Sequence, residues 1–172
     1  NSICFLKVKD IGDSGRINIA NLDTIPRSIH EGILKRSVLY TGDVLVSIAG
    51  TIGRVTIIPS QLNDSNSNQA IAFIRPRSQS KVVSEFFRLL LRSERAQNIF
   101  QSRIVQGVQA NLSLTEIGNL QFALPPDIVL DEWQAIGRTI GAYKENVEHE
   151  ISTLISIRDA LLPKLMSGEI RV

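Results

Sequence analysis

The feature that most constrains this 172-residue chain is a long amphipathic segment in its last third. Between Gln134 and Leu162, apolar residues recur at steps of three or four, and the only glycines are Gly137 and Gly141. This spacing gives a helix one apolar stripe and approximates the repeat of a coiled coil. At ~1.5 Å per residue the segment makes a helix of roughly 45 Å. We predict a coiled-coil-type helix whose partner-facing stripe contains Ile136, Ile140, Tyr143, Val147, Ile151, Leu154, Ile157 and Leu161.

The residues alone leave two placements open for that helix. Its stripe can pair with a second helix, or it can fold back onto the domain that precedes it. Pro125 and Pro126 mark a boundary, so we predict a globular domain over residues 1–127 and a helical extension over residues 128–172. Their formal net charges are +4 and −2. This small asymmetry fits a domain that faces nucleic acid and a helix that faces protein.

The globular part mixes strand and helix signals, which predicts an α+β fold. Two β-branched runs over residues 43–48 and 54–58 flank a glycine-containing connection, and this pattern is typical of a hairpin. Neither run alternates between polar and apolar residues, so both faces are expected to be covered, as in a barrel-like sheet. Further strands are predicted over 3–9, 69–75 and 120–124, a polar loop over 59–68, and turn glycines with positive φ at Gly42, Gly50, Gly53 and Gly107.

Short helices complete the predicted domain. The apolar residues after Ser80 fall into two stripes, which predicts two helices with a break near Ser93. Ser113 and Glu116 have the spacing of a capping box and predict another helix start. The expected fold is therefore a mixed, barrel-like β domain with short helices, followed by the long C-terminal helix.

The sequence carries no recognisable catalytic constellation. It lacks a phosphate-binding glycine loop followed by lysine and serine or threonine, and it lacks a Gly-x-Ser-x-Gly turn. His30 and His149 are far apart, and the single cysteine, Cys4, excludes internal disulfides and cysteine-rich metal sites. We therefore expect no enzymatic activity, no cofactor and no metal. Because no apolar run reaches ~18 residues and no signal pattern is present, we expect a cytoplasmic protein without membrane association.

Several phrases occur together in a characteristic order. They are GDVLVSIAGTIGRVTII (42–58), NQAIAFIRP (68–76), GVQANLSLTEIGNLQFALPP (107–126), EWQAIGRTI (132–140) and LLPKLMSGEIRV (161–172). Together they cover nearly the whole chain. This combination resembles the specificity subunit of type I restriction-modification systems, as a target recognition domain followed by its spacer helix.

The resemblance implies a subunit that reads double-stranded DNA while partner subunits supply the methyltransferase and nuclease activities. Full-length members of that family hold two recognition domains, each reading half of a split target, and two long helices that pair antiparallel. This chain has one of each. It is therefore expected to be either the C-terminal half of a longer subunit or a half-length subunit that forms a homodimer. The alternative is a non-catalytic interaction scaffold that oligomerises through its C-terminal helix.

DNA reading requires side chains that reach base edges and cations that bind phosphates. A simpler alternative is that the amide-rich loops are solvated turns. We predict phosphate contacts from Lys7, Lys9, Lys35, Arg36 and Arg54. The predicted base-edge residues are Asn63, Asn66, Asn68, Gln69, Gln106, Gln109 and Asn111, with Arg103 beside the second group.

Overall fold

The computed structural model describes residues 2–77, 81–104 and 111–170. The chain divides into two compact units, Asn1–Ala123 and Leu124–Val172. The first unit is a mixed α+β domain, as predicted, and the second is built on one long helix. Within the described residues, no helix is both long enough and apolar enough to cross a lipid bilayer.

The first sheet combines strands from distant parts of the chain. It contains β1 (Ser2–Leu6), β2 (Asp23–Pro26), β3 (Val38–Leu39) and β6 (Ser65–Ser67), in the order β2-β1-β6-β3. Strand β1 is antiparallel to β2 and parallel to β6, while β3 is antiparallel to β6. One edge of this sheet therefore collects the ends of β1 and β6 and the starts of β2 and β3.

The second sheet contains the predicted hairpin. Strands β4 (Val44–Ser47) and β5 (Val55–Ile57) pair antiparallel, and β7 (Ile71–Ile74) pairs antiparallel with the other side of β4. All four residues of β4 are buried, so the prediction that both faces are covered is confirmed. The barrel-like arrangement is wrong. In the described part of the chain the strands form two separate sheets, because the hydrogen-bonded ladder of neither sheet continues into the other.

The predicted helix boundaries at Ser93 and Ser113 agree with the structure. The break at Ser93 is confirmed, and so is the capping box: the Ser113 amide donates to Glu116 Oε2 (2.9 Å) and the Glu116 amide donates to Ser113 Oγ (3.1 Å). Short 3-10 helices span Val8–Asp10, Ile19–Asn21, Lys35–Ser37 and Ser60–Leu62. The α-helices are α1 (Arg27–Glu31), α2 (Lys81–Arg92), α3 (Glu94–Ile104), α4 (Leu114–Gly118) and α5 (Asp127–Met166).

Strand β4 lies between two hydrophobic clusters. Val44 and Val46 belong to a cluster that includes Phe100 of α3. Leu45 belongs to the other cluster, which includes Leu6 of β1. Successive side chains of a strand point to opposite faces, so β4 contributes to both cores. Packing therefore holds β4 on both of its faces.

Two segments differ from the prediction. Residues 120–124, predicted as a strand, pair with no strand in the described part of the chain, although Leu120 and Phe122 pack against the cluster around Val44. The polar loop predicted over 59–68 contains β6, whose three residues are all buried in the middle of the first sheet. Composition alone therefore misassigned these two segments, because hydrogen-bond partners from elsewhere in the chain decide both cases.

Arg75 forms an ion pair within the second sheet and also contacts the first sheet. Arg75, directly after β7, donates from Nε to Asp43 Oδ1 (2.8 Å) and from Nη2 to Asp43 Oδ2 (2.6 Å) and to the Val38 carbonyl of β3 (2.8 Å). The guanidinium carbon lies 4.6 Å from the ring centroid of Tyr40 and 5.0 Å from that of Phe73. The hydrogen bonds that Arg75 donates to Asp43 raise the pKa of Arg75 above its usual value. Arg75 thus contacts the first-sheet segment through Val38 and Tyr40, while Asp43 holds its guanidinium in place.

The predicted turn glycines have the expected backbone. The φ angles of Gly42, Gly50 and Gly53 are +89°, +71° and +89°, so these three predictions are confirmed. Gly107 lies outside the described residues. Side chains disfavour this left-handed region, which is why the connection between β4 and β5 needs glycine.

Replacing Gly53 by alanine should destabilise the domain more than the same change at Gly50. Both variants place a Cβ at positive φ, which costs about 1 kcal/mol. A Cβ added at Gly50 would meet no atom of a described residue within 4 Å beyond its chain neighbours, whereas a Cβ at Gly53 would lie 2.5 Å from Gln97 Oε1. That amide donates to the carbonyls of Gly53 (3.0 Å) and Leu91 (2.7 Å), so its displacement adds about 1 kcal/mol more. Urea unfolding of the two variants measures the difference, and equal losses would contradict it.

Candidate nucleic-acid interface

Predicted DNA-contacting residues converge where β1 and β6 end. Lys7 directly follows β1, and Asn68 directly follows β6. The two strands are parallel, so their final residues lie at the same edge of the sheet. The backbone agrees, because the Asn68 amide donates to the Leu6 carbonyl (3.1 Å). A phosphate-binding candidate and a base-edge candidate, 61 positions apart in the numbering, therefore become neighbours.

The 3-10 helix that carries Lys35 and Arg36 reaches the same edge. It directly precedes β3, which runs antiparallel to β6 with Val38 opposite Asn66. The start of β3 therefore lies beside the end of β6. Both cationic side chains are exposed. The edge thus gains a second pair of cations from a separate part of the chain.

The second sheet adjoins this edge through the connection between β6 and β7. The Ile48 amide, just after β4, donates to the carbonyl of Ala70 in that connection (2.8 Å). The Ser47 amide donates to the Arg54 carbonyl (2.9 Å), which places the start of β5 nearby. Gln69 is exposed in the same connection. The end of β4 and the starts of β5 and β7 therefore continue the edge of the first sheet.

Asn111, which follows α3 in the sequence, lies beside the segment that follows β4. It forms an antiparallel bridge with Ala49, and the next amide, of Leu112, donates to the Ile48 carbonyl (2.8 Å). Leu112 is buried, whereas Asn111 is exposed. We name the assembled surface the polar edge, and it consists of Lys7, Lys9, Lys35, Arg36, Arg54, Asn68, Gln69 and Asn111.

A shared carboxylate controls the charge of one part of the polar edge. Asp23 Oδ2 lies 2.9 Å from Lys7 Nζ and 3.4 Å from Lys9 Nζ. Hydrogen bonds from Lys7 and then Lys9, together with their positive charges, lower the pKa of Asp23. One carboxylate thus faces two ammonium groups, so positive charge remains in excess. Asp23 was not predicted as part of this surface, because only the pairing of β2 with β1 places it beside Lys7.

Arg54 has a supporting position in the polar edge. Its Nη2 and Nε lie 2.7 and 2.9 Å from Asp13 Oδ1, and its Nη1 donates to the Val8 carbonyl (3.3 Å). Val8 begins the 3-10 helix that also contains Lys9. The guanidinium is therefore committed to protein partners, and in this structure it holds the Lys9 segment instead of projecting freely.

The structure separates two predicted base readers from the polar edge. Asn66 is fully buried, with His30, Leu34 and Ser37 as hydrogen-bond partners, so the prediction that it contacts a base edge is corrected. Asn63 is exposed, but it precedes β6 and therefore lies at the opposite end of that strand. Both asparagines occur in one polar run, so local composition does not distinguish them.

The remaining base-edge candidates differ in how the structure describes them. Asn68 is half-buried, and no described residue donates a hydrogen bond to its buried Oδ1. A buried oxygen without a donor is uncommon in folded proteins. Gln106 and Gln109 lie outside the described residues, as does the side chain of Arg103. Their predicted DNA contacts stay predictions.

The predicted partner stripe lies in the second unit, on α5. This helix spans 40 residues, and Pro163 lies near its C-terminal end. Val147 is partly buried, and the other predicted positions are exposed. Exposed side chains at these positions are Ile136, Ile140, Tyr143, Ile151, Leu154, Ile157 and Leu161.

Comparisons with known proteins point to one family. The chain is 27% identical over 177 residues to the type I restriction enzyme EcoBI specificity subunit of Escherichia coli, covering 99% of this chain but 36% of that protein. A 61-residue stretch, 36% of this chain and 14% of the relative, is 36% identical to the MjaIX specificity subunit of Methanocaldococcus jannaschii. The chain thus spans about a third of the length of the EcoBI specificity subunit.

A solved structure has the same fold. The HsdS subunit from Thermoanaerobacter tengcongensis superposes with a TM-score of 0.62 and 19% identity, over 98% of this chain and 42% of that one. The family model described as the type I restriction modification DNA specificity domain matches residues 6–155. Since this match covers most of both units, the chain belongs to the type I restriction modification DNA specificity domain family.

Proposed function

We propose that this chain is the DNA-reading part of a type I restriction-modification specificity subunit and recognises one half of a split target. The polar edge is the observation that carries the proposal. It brings five cationic and three amide side chains from separate parts of the sequence to one side of two rigid sheets. Family membership and the relatives' names support the same role. In this proposal partner subunits supply the catalysis.

The polar edge has the two kinds of group that sequence-specific binding needs. Cations bind phosphates and fix the protein on the duplex, but they read no sequence. Amide side chains can bond adenine through its N6 and N7 atoms in the major groove. Lys7, Lys9, Lys35 and Arg36 are the phosphate candidates, whereas Gln69 and Asn111 are exposed amides.

The second unit supplies the proposed spacer. We assign recognition to residues 1–127 and the spacer or dimerisation role to residues 128–172. An exposed apolar stripe on α5 supports pairing with a second helix, from a longer form of this chain or from a second copy. A methyltransferase subunit, and in the full complex a nuclease subunit, are the further proposed partners.

The decisive experiment selects bound duplexes from a random library and then measures their affinity across salt concentrations. We expect enrichment of a defined half-site and a steep loss of affinity with salt, because phosphate contacts release counterions. Lys7→Ala and Lys9→Ala should each reduce the slope of log K against log salt by about 0.9. Arg27→Ala is the matched control, since Arg27 follows the opposite end of β2 and should leave the slope unchanged.

Other outcomes would support a different function. If no duplex binds even in low salt, the chain is better explained as a protein-interaction scaffold that oligomerises through α5. If the chain alone cleaves DNA with a divalent metal, or methylates it with S-adenosylmethionine, the non-catalytic assignment fails. Binding with a flat salt response would remove the lysines and arginines of the polar edge from the proposal.

A further inference from the structure

A short turn beside the polar edge exposes an unusual side chain. Between α1 and β3, residues Gly32–Arg36 form what we name the Ile33 turn. Ile33 is 87% exposed, the largest exposed fraction among the large apolar side chains that the structure describes as exposed. Lys35 and Arg36 follow it, and neither forms an ion pair with any described residue. Apolar and cationic groups are thus presented together.

Hydrogen bonds hold the backbone on both sides of Ile33. On its N-terminal side the Gly32 amide donates to the Ser28 carbonyl (3.1 Å), and on its C-terminal side the Leu34 amide donates to the Ile29 carbonyl (3.0 Å). The amides of both residues next to Ile33 are therefore bonded to carbonyls of α1. These bonds hold the backbone on each side of Ile33 in the conformation that exposes its side chain.

The side chain of Asn66 in β6 also holds the Ile33 turn, through hydrogen bonds. Its Nδ2 donates to the Leu34 carbonyl (3.1 Å) and to Ser37 Oγ (3.4 Å), and its Oδ1 lies 2.5 Å from His30 Nδ1. Two acceptors at Nδ2 and an N–H donor at Oδ1 fix the orientation of the amide. Because Asn66 and His30 are both buried, the bonds are shielded from water. Strand β6 thus sets the position of the Ile33 turn.

The charge near the turn favours a polyanion over a protein surface. Glu31, the nearest acidic residue before the turn, already pairs with Arg27 (3.3 Å). Among the residues that the structure describes, Lys35 and Arg36 therefore have no acidic partner, and they lie on the side of the first sheet where the polar edge begins. DNA offers phosphates for both cations. Its major groove also offers one apolar group for Ile33, the C5 methyl of thymine.

We propose that the Ile33 turn is a preformed DNA-contacting element in which Ile33 packs on a thymine methyl while Lys35 and Arg36 bind phosphates. Asn66 acts as a positioning residue for this turn, through the Leu34 carbonyl and Ser37. The inference rests on the proposed function of the chain as a DNA reader. It adds a source of base specificity that the amide side chains do not provide.

Thymine-to-deoxyuridine replacement tests the apolar contact, because it removes only the methyl group. The full chain is titrated against a duplex selected from the random library, with each thymine replaced in turn. At one position we expect the wild-type chain to bind about fourfold more weakly, the effect of losing one buried methyl-sized group. Ile33→Ala should bind the thymine duplex more weakly by a similar factor and should no longer respond to that replacement.

The two proposals fail differently in this experiment. If no duplex is enriched, the proposed DNA-reading function is wrong. If a duplex is enriched but Ile33→Ala responds to every replacement as the wild-type chain does, only the inference about the Ile33 turn is overturned. Loss of binding to a methyltransferase subunit, with DNA affinity unchanged, would assign Ile33 to a protein contact instead.

Asn66→Asp tests the positioning role. It retains the size of the side chain and an acceptor for His30, but it loses the Nδ2 donor to Leu34. We expect the salt slope to fall by up to about 2, as in a Lys35→Ala, Arg36→Ala double variant, in protein that circular dichroism shows to be folded. Asn63→Asp adds the same charge at the opposite end of β6 and should leave the slope closer to wild type. A folded Asn66→Asp protein with an unchanged slope would overturn the positioning role.

Discussion

Replacing Arg75 by methionine is expected to lower the free energy of unfolding by about 3 kcal/mol, because it leaves a buried carboxylate without its cation. The Asp43 side chain is 3% exposed, whereas that of Arg75 is 39% exposed. Solvent therefore reaches the guanidinium, so the expected loss of stability lies near the lower end of the range for buried ion pairs that lose one partner. Asp43 would keep the Tyr40 amide (2.8 Å) as a donor, and the link to the Val38 carbonyl would be lost.

Arg27→Met is the matched control for this prediction. Arg27 pairs with Glu31 on the surface of α1, and an exposed pair of this kind contributes less than about 0.5 kcal/mol. Chemical unfolding of both variants provides the comparison. Adding Asp43→Asn to Arg75→Met should recover part of the loss, since no charge then remains buried alone. Similar losses at Arg27 and Arg75 would mean that the buried pair contributes no more to stability than an exposed one.

The sequence predicted the elements whose signals are local. The hairpin of β4 and β5 combines β-branched runs with two glycines, and the break between α2 and α3 coincides with a serine between two apolar stripes. Hydrophobic periodicity and turn chemistry specify such elements without help from the rest of the chain. The same holds for the capping box at Ser113, where both partners lie within four residues.

Elements stabilised by distant partners could not be predicted. Strand β6 is Ser-Asn-Ser, which is typical of a loop, and it is buried because His30 and Leu34 satisfy Asn66 and because the Leu62 carbonyl accepts from Ser65 Oγ (2.7 Å). Residues 120–124 show the converse. They have strand-like composition but find no strand to pair with among the described residues. Composition therefore misassigned both segments.

The candidate site was predictable in kind but not in layout. Cationic and amide residues could be identified as DNA-binding types, and several of them do meet at the polar edge. Their meeting depends on β1 and β6 being parallel, a pairing between strands about 60 residues apart for which the sequence has no local signal. For the same reason Asn63, Asn66 and Asn68 looked equivalent in the sequence. In the structure Asn63 precedes β6, Asn66 lies within it and Asn68 follows it.

Leu154→Asp in α5 is expected to abolish pairing with a second helix while the first unit stays folded. A carboxylate placed in an apolar helix interface loses its hydration without gaining a partner, and the penalty is several kcal/mol. Association should therefore weaken by at least about 100-fold. Val147→Asp, seven residues earlier on the same stripe, should have the same effect. Sedimentation equilibrium over a range of concentrations measures the association, and circular dichroism and DNA binding report on the first unit.

Ser156→Asp separates an interface effect from a general effect of charge. Ser156 is exposed on α5, and at about 100° per residue it lies half a turn away from Val147. It adds the same carboxylate to the same helix, so it should leave association unchanged if only the stripe is buried. An association constant that is equal for Ser156→Asp, Leu154→Asp and the wild-type chain would rule out a partner helix on the stripe. Equal weakening by both aspartates would instead attribute the loss to helix charge, because α5 already belongs to the more acidic part of the chain.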